Sequence, residues 1–496
     1  MAEEQKASQQ DKPQDAKPVD IEVPATASAS LVWHGPDGAQ LPYRATAGHV
    51  DVRADDGSLI GKMFYLAFVA LRDGAPDPAR PVTFAYNGGP GSSSVPIDFG
   101  GIGPKRVATD GLAHLRADAP LQDNPHTLLR DSDIVFLDAL GTGWSRVAEG
   151  VEDKKVFGID ADADCFARAI CAWLTQARRW ASPLYLYGES YGTVRNAVLM
   201  RLLGERSVKL TGVVMLSAIF DWVQTQPHAD TYYLGMMPTY AACAQHFGKA
   251  GVDEDVDAWF DEAMAFTEDV YAPALLKGDR LGAEREAEVA AQLERFWGIP
   301  ASYIAARHLR VCLTDFRAQL LAAEGKAVGR LDMRFASDAP SWLQPNSSWL
   351  GWEDAADDAV EAAWTSAFRA FVSDVLGYEG PARYLSSNYE KVGAHWVWTH
   401  AMPGAEEEDA TAPNVALDIA IALRRDPTLK LCILGGRYDA ATTWWNVEHD
   451  MSCQYLSPEL KQRISWHRYG CGHMAYVDEP TLAAMGADVH AFYAKR

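Results

Sequence analysis

Basic residues are in deficit: 45 Lys and Arg face 67 Asp and Glu, a formal charge of −22 over 496 positions. Sequence-independent nucleic-acid binding needs clustered cations that displace phosphate counterions, so that class is disfavoured, and docking on anionic membranes is disfavoured with it. Long apolar runs are missing too. The longest candidate, around Gly212 to Phe220, is strand-sized and well short of a membrane span. Cysteine is scarce and scattered. Its seven positions (Cys165, Cys171, Cys243, Cys312, Cys432, Cys453 and Cys471) are odd in number and hold no CxxC pair, so neither a disulfide framework nor a zinc site is indicated. Most are expected to be small buried residues. No G-x-x-x-x-G-K-[ST] is present, which sets aside a nucleotide site. No metal and no organic cofactor is implied.

What is present describes an ordinary globular protein. With 48% hydrophobic and 23% charged residues, and 16 Trp, the chain is long enough for a large core plus an insertion or second domain. The first 27 or so positions, rich in Lys, Gln, Asp and Pro, lack the apolar core of a secretory signal and read as a disordered tail. For the chain as it stands the expected location is cytoplasmic, or periplasmic or secreted if an upstream signal was lost.

After the tail, SLVWHG, the stretch from Tyr43 to Val52 and MFYLAFVALRDG carry β-branched and aromatic residues bounded by Gly and Asp, the pattern of antiparallel strands. Three later apolar runs end abruptly in turn-like segments: VTFAYNGGPG, DIVFLDALGTG and PLYLYGESYG. They are continuous rather than alternating, which suits strands covered on both faces, as in a parallel sheet. Between the second and third, IDADADCFARAICAWLTQARRWA repeats apolar residues at helical spacing and predicts a crossover helix. LTGVVML, LKLCILGG and RISWHRYG repeat the buried-strand pattern, so the class is α/β with a mostly parallel sheet. From about Asp221 to Pro413, helix-like stretches replace the alternation and predict a largely helical insertion capping one edge of the sheet. The expected organisation is a tail over 1–28, core over 29–220, cap over 221–413 and core again over 414–496, with EEEDATAP (406–413) as an acidic loop leading back.

Gly188-Glu189-Ser190-Tyr191-Gly192 is the chain's only G-x-S-x-G and follows the run PLYLY directly. A serine on a sharp strand-to-helix turn needs glycines two positions to either side, because neighbouring backbone comes too close for side chains. Ser190 would then stand exposed. Its hydroxyl is a poor nucleophile until a base accepts the proton, and the base needs an orienting carboxylate. In α/β hydrolases these partners follow in the order acid then His, each just beyond a strand end. Asp439 in LKLCILGGRYDAAT and His473 in RISWHRYGCGHMAY occupy such places. Each alone has an ordinary reading, a helix cap for the aspartate and a satisfied core or surface residue for the histidine. Thirteen histidines offer competitors, notably His449 and His467. The joint order favours Ser190, Asp439 and His473. The loop Asn87-Gly88-Gly89-Pro90-Gly91 reads either as a simple tight turn or, in a serine hydrolase, as the source of one oxyanion N–H, with Tyr191 supplying the other.

Taken together, the glycine loop continued by Ser92 and Ser93, DALGTGWS (138–145), the elbow, the strand end with Asp439 and Gly472-His473-Met474 resemble the serine carboxypeptidases, peptidase family S10, in a bacterial-type form. The resemblance implies an α/β-hydrolase fold, a triad of Ser190, Asp439 and His473, and oxyanion donors at Gly89 and Tyr191. It further implies that Asn87, the Gly88 N–H and Glu189 bind the free C-terminal carboxylate of a peptide. Two carboxylates in contact cannot both stay ionised, so Glu189 serves only when protonated. Burial and the incoming anion should both raise its pKa, and binding should be strongest in mildly acidic solution. Departures are visible as well. Ser92 stands where the family usually has a disulfide-bonded cysteine, and Gly101 falls at the register of a second glutamate, so the paired-acid arrangement is expected to be incomplete. Asp98 lies nearby, with nothing in the sequence to show that it substitutes. The cap also looks unlike that of the better-known members.

The implied activity is removal of C-terminal amino acids through an acyl-enzyme. Peptides with a free C-terminus are the expected partners, without nucleic acid or membrane, and a homodimer is left open. Two rivals keep other readings in play: an esterase or acyltransferase with the same triad, and a catalytically silent binding protein.

Overall fold

The computed structural model describes residues 21–109, 111–339, 354–380, 382–405 and 413–495. Residues 1–20 of the expected tail and 406–412 of the acidic loop lie outside them. Three antiparallel strands open the chain: β1 (Ala27–His34), β2 (Gln40–Arg53) and β3 (Leu59–Arg72). Ala27 and Ser28, read as the end of the tail, already belong to β1.

Six parallel strands follow: β4 (Val82–Tyr86), β5 (Asp133–Leu137), β6 (Leu184–Glu189), β7 (Gly212–Leu216), β8 (Lys430–Gly436) and β9 (Ile464–Tyr469). Their order in the 11-stranded sheet is β1-β2-β3-β5-β4-β6-β7-β8-β9, with the short strands Ala75–Pro76 and Arg146–Val147 pairing with β3. Every residue of β4, β5, β6 and β7 is buried, which is why these stretches read as unbroken apolar runs.

Helices cover both faces. Helix α1 (Ile159–Ala177) crosses from β5 to β6, and its buried Ala163, Phe166, Ile170, Trp173 and Leu174 recur at three- and four-residue spacing. With α2 (Tyr191–Glu205) it builds the core of one face, to which Phe84, Val198 and Leu203 belong. Truncating a ring such as Phe166 to alanine would cost about 3–5 kcal/mol, because the neighbours refill the gap only in part.

Between β7 and β8 the chain is mostly helical, including α3 (Asp230–His246), α4 (Val256–Phe266) and α5 (Ala283–Trp297). These pack around Tyr240, whose ring stacks on Phe316 at 3.9 Å and meets Trp297 edge-on. Helix α6 (Glu361–Ala370), from the same stretch, packs elsewhere: Phe368 meets Phe64, Phe99 and Trp144 in the core of the second face. Two helices complete the sheet's cover, α7 (Ala416–Arg425) beside α2 and α8 (Glu479–Ala494) on the second face. Cys165, Cys243, Cys432 and Cys471 are buried, and Cys453 is exposed. Among the described residues no helix is long and apolar enough to cross a membrane.

Candidate active site

The C-terminal ends of β4, β6, β8 and β9 point to one rim of the sheet, and each carries one group of candidate residues. Strand β6 pairs with β4 on one side and β7 on the other, with Gly188 opposite Tyr86 and Glu189 opposite Leu216. The chain then turns sharply into α2. Ser190, at the turn, has φ 59° and ψ −129°, a left-handed conformation costly for a side-chain-bearing residue and tolerated because the strand and helix fix both ends. A Cβ at Gly188 would lie 2.3 Å from the Gly192 carbonyl oxygen, so glycine is required there. Ser190 itself is half-buried.

Asp439 follows β8 and is fully buried. Its Oδ1 accepts the N–H groups of Ala441 (2.8 Å) and Thr442 (3.0 Å), and its Oδ2 lies 2.7 Å from both the Thr442 hydroxyl and His473 Nδ1. Those bonds aim the carboxylate at the imidazole. His473, beyond β9, is held by its backbone as well: its N–H donates to Leu331 O at 2.6 Å and its carbonyl accepts from the Ser217 hydroxyl at 2.6 Å. Leu331 and Asp332, which takes the Gly472 N–H at 3.0 Å, come from the stretch between β7 and β8. That stretch therefore buttresses the histidine as well as the helices around it. Burial pulls the imidazole pKa down, but the charge and hydrogen bond of Asp439, with Glu189 behind them, prevail and raise it above the ordinary value.

The structure brings Asp439 and His473 together. Among the described residues it forms no hydrogen bond between His473 and the Ser190 hydroxyl, a contact that in unliganded enzymes is often long and tightens on substrate binding. The competing histidines lie elsewhere. His449 stacks on Trp445 in a helix, and His467 pairs with Asp488 at 3.1 Å on the side of β9.

The glycine loop after β4 lies directly on the elbow. A Cβ at Gly88 would sit 2.4 Å from the Tyr191 backbone nitrogen and 2.7 Å from that of Gly192, an approach only glycine permits. Tyr191 opens α2, where the first N–H groups have no intrahelical acceptor, so the loop and the helix N-terminus bring backbone donors to one place beside Ser190. Arg195 fixes the start of this loop. Its Nε bonds Asp162 at 2.6 Å, its Nη1 donates to Asn87 O at 2.9 Å, and its guanidinium lies over the rings of Phe166 and Tyr86. On the open side, the exposed Tyr389 ring lies against Gly89 and Gly91.

Glu189 is 2% exposed. Burial raises its pKa to about 7, against the lowering effect of His473, Tyr476 and Asn87. Asn87 is oriented by the Ile97 N–H, which its Oδ1 accepts at 2.9 Å, leaving the amide nitrogen for Glu189. The Tyr476 hydroxyl lies 3.1 and 2.9 Å from the two Glu189 oxygens. Nothing in the sequence pattern singled out Tyr476, and no motif spacing joins it to a residue so distant in the chain. The Asp98 carboxyl is buried and held well above the usual range by burial and by Asp138. An aromatic group unforeseen from sequence flanks the elbow on its other side. Tyr191 meets Trp396 edge-on at 5.1 Å, and Trp222 and Trp398 lie 4.2 Å apart next to it.

Residues 36–236 match the family model described as serine carboxypeptidase. "Serine carboxypeptidase-like 50" of Arabidopsis thaliana is 32% identical over 41% of this chain and 44% of its own length. "Carboxypeptidase Y homolog A" of Paracoccidioides brasiliensis is 30% identical over 29% of this chain and 23% of its own. The alignments thus span less than half of these relatives, whose plant and fungal sources lend nothing to a bacterial-type assignment. The solved structure of Kex1(delta)p, a prohormone-processing carboxypeptidase from Saccharomyces cerevisiae, superposes with a TM-score of 0.56 at 14% identity, covering 90% of this chain and 91% of that one. The chain therefore has the α/β-hydrolase fold, and its residues 36–236, from the antiparallel strands through the elbow, match the serine carboxypeptidase family.

Proposed function

We propose that this protein is a serine-type carboxypeptidase that removes C-terminal amino acids from peptides. The observation that carries this reading is the buried Glu189, adjacent to Ser190 and raised to about 7. A carboxyl that takes up a proton near neutrality changes from a group that repels a carboxylate into one that donates to it. Asn87, the Gly88 N–H and protonated Glu189 hold the peptide's terminal carboxylate, which sets the last amide carbonyl at Ser190.

Ser190 Oγ bonds to that carbonyl carbon while His473 Nε2 takes its proton. The charge moves to the carbonyl oxygen, where the N–H groups of Gly89 and Tyr191 receive it. Breaking the C–N bond returns the proton from His473 to the leaving amine, and the amino acid departs. Water then gives a proton to His473 and attacks the ester, and Ser190 recovers its proton as the shortened peptide leaves. Asp439 keeps Nδ1 protonated throughout, so that Nε2 remains the basic nitrogen.

Mass spectrometry of a peptide and its C-terminal amide, incubated with the protein at several pH values, tests the reading. Single residues should be lost from the free acid and scarcely from the amide. Equal attack on both, or cuts in the middle of the chain, would overturn it.

A further inference from the structure

A buried acid that is to receive a ligand has to be held in one orientation. At Glu189 that restraint has a visible source. Tyr476 is fully buried, and its hydroxyl reaches both carboxyl oxygens at 3.1 and 2.9 Å. The phenol is locked on every side. Its ring lies against Gly101, where a Cβ would come within 3.1 Å of it, and against Trp364 at 5.6 Å between centroids. Buried Arg106 spans the same contact, donating to Gly100 O at 3.3 Å and to Tyr476 O at 3.5 Å, with its other end on Glu479. Asn124 holds the opposite strap of the turn by donating to Gly101 O and Gly103 O at 2.7 and 2.8 Å. The ring is held by packing on Gly101 and Trp364, and the backbone on both sides of that contact is held by Arg106 and Asn124, so the hydroxyl is presented at one place.

We infer that Tyr476 is a positioning residue for recognition of the substrate carboxylate: its hydroxyl, within reach of both Glu189 oxygens, is a fixed donor that holds the carboxyl in one orientation beside Ser190. This rests on the carboxypeptidase reading above and adds to it the residue that sets how that site responds to pH. Burial, with the nearby Glu189 charge, holds the phenol well above its ordinary pKa, so it stays a donor throughout the working range. The titratable groups facing Glu189 are His473, Asp439, Tyr187 and Tyr476, and Asn87 is its neutral partner. Among the described residues, Tyr476 contacts both oxygens and carries no charge of its own.

A hydrogen bond to the ionised carboxylate favours ionisation, so Tyr476 holds the Glu189 pKa below what burial alone would give. Removing the hydroxyl moves that pKa up and leaves the carboxyl without its fixed donor.

The experiment is KM and kcat from pH 5 to 9 for a peptide and its C-terminal amide, in the full-length protein and in Tyr476→Phe. In the unaltered protein, KM for the free acid should turn upward near pH 7. In Tyr476→Phe the upturn should move higher by about one pH unit, and KM below it should rise several-fold, with kcat and the amide's kinetics unchanged. Superimposable pH profiles, or equal effects on acid and amide, would overturn the inference. Should Tyr476→Phe fail to fold, Gly101→Ala presses a methyl on the same ring, and an unshifted profile there would overturn it equally. If instead the unaltered protein treats acid and amide alike, the carboxypeptidase reading itself fails, and that outcome shows without any variant.

Discussion

Asp439 Oδ2 stands 2.7 Å from His473 Nδ1, and each residue has further anchors: the aspartate the N–H groups of Ala441 and Thr442, the histidine Leu331 and Ser217, with the Thr442 hydroxyl joining the two sets. The pair is therefore preset before any ligand arrives. Replacing Asp439 by Asn keeps the shape and removes the charge. We expect kcat to fall roughly a thousand- to ten-thousandfold with little change in KM. Because Asp439 raises the His473 pKa, and the base works only when neutral, the residual activity of Asp439→Asn should persist to lower pH than that of the unaltered protein. A pH–kcat profile with an unmoved acid limb would contradict this.

Gly88 lies where its Cβ would meet the Tyr191 nitrogen at 2.4 Å. Both partners are backbone, so Gly88→Ala must push the loop off the elbow rather than bend a side chain aside. Loss of one oxyanion donor costs about a hundred- to a thousandfold in kcat. Steady-state kinetics together with a melting curve separate that outcome from simple misfolding: the melting temperature should drop by only a few degrees.

Glu189→Gln fixes a neutral donor where the native side chain titrates near 7. In the unaltered protein, KM for a free-acid peptide should rise about tenfold between pH 6 and pH 8, as the protonated fraction falls. In the glutamine variant KM should stay flat across that range. Parallel curves for the two proteins would remove Glu189 from carboxylate binding.

His400 is buried between Asp160 and Asp418, with Nδ1 and Nε2 each 3.0 Å from a carboxylate oxygen and Arg201 joining both acids. Burial alone would lower its pKa, but the hydrogen bonds and charges of the two aspartates raise it to about 9 from 6.5. A raised pKa contributes stability that is complete below about pH 6.5 and is lost as pH climbs through 9, up to about 3 kcal/mol in all. Urea midpoints should therefore fall between pH 7 and pH 10. In His400→Leu the midpoint should be lower at pH 7 and the fall shallower, and an equal fall in both proteins would rule out His400 as its source.

Labelling closes the question of the nucleophile. A fluorophosphonate should modify the protein at Ser190, and Ser190→Ala should abolish the signal. Labelling that survives the substitution would place the reactive hydroxyl elsewhere.

Much of this was legible beforehand because the decisive features are local. PLYLY and VTFAY read as buried parallel strands since helices on both faces favour apolar side chains at nearly every position. The elbow showed itself because the turn at Ser190 forces glycine at 188 and 192. Tyr476 left no such trace. It sits on a short turn after His473, and neither periodicity nor spacing reveals that its hydroxyl ends on a carboxyl 287 positions earlier. The same holds for Trp396 and Trp398 beside Tyr191.

By itself, the order of residues determined the layered architecture, the strand ends and the identity of Ser190, Asp439 and His473 as candidates, since each depends on a few neighbours along the backbone. Only the folded chain decided what surrounds the acid at position 189. Hydrogen-bond partners are selected over a few ångströms in space, and the strands that deliver Asn87, Glu189 and Tyr476 to one point are brought together by sheet order rather than by position in the chain.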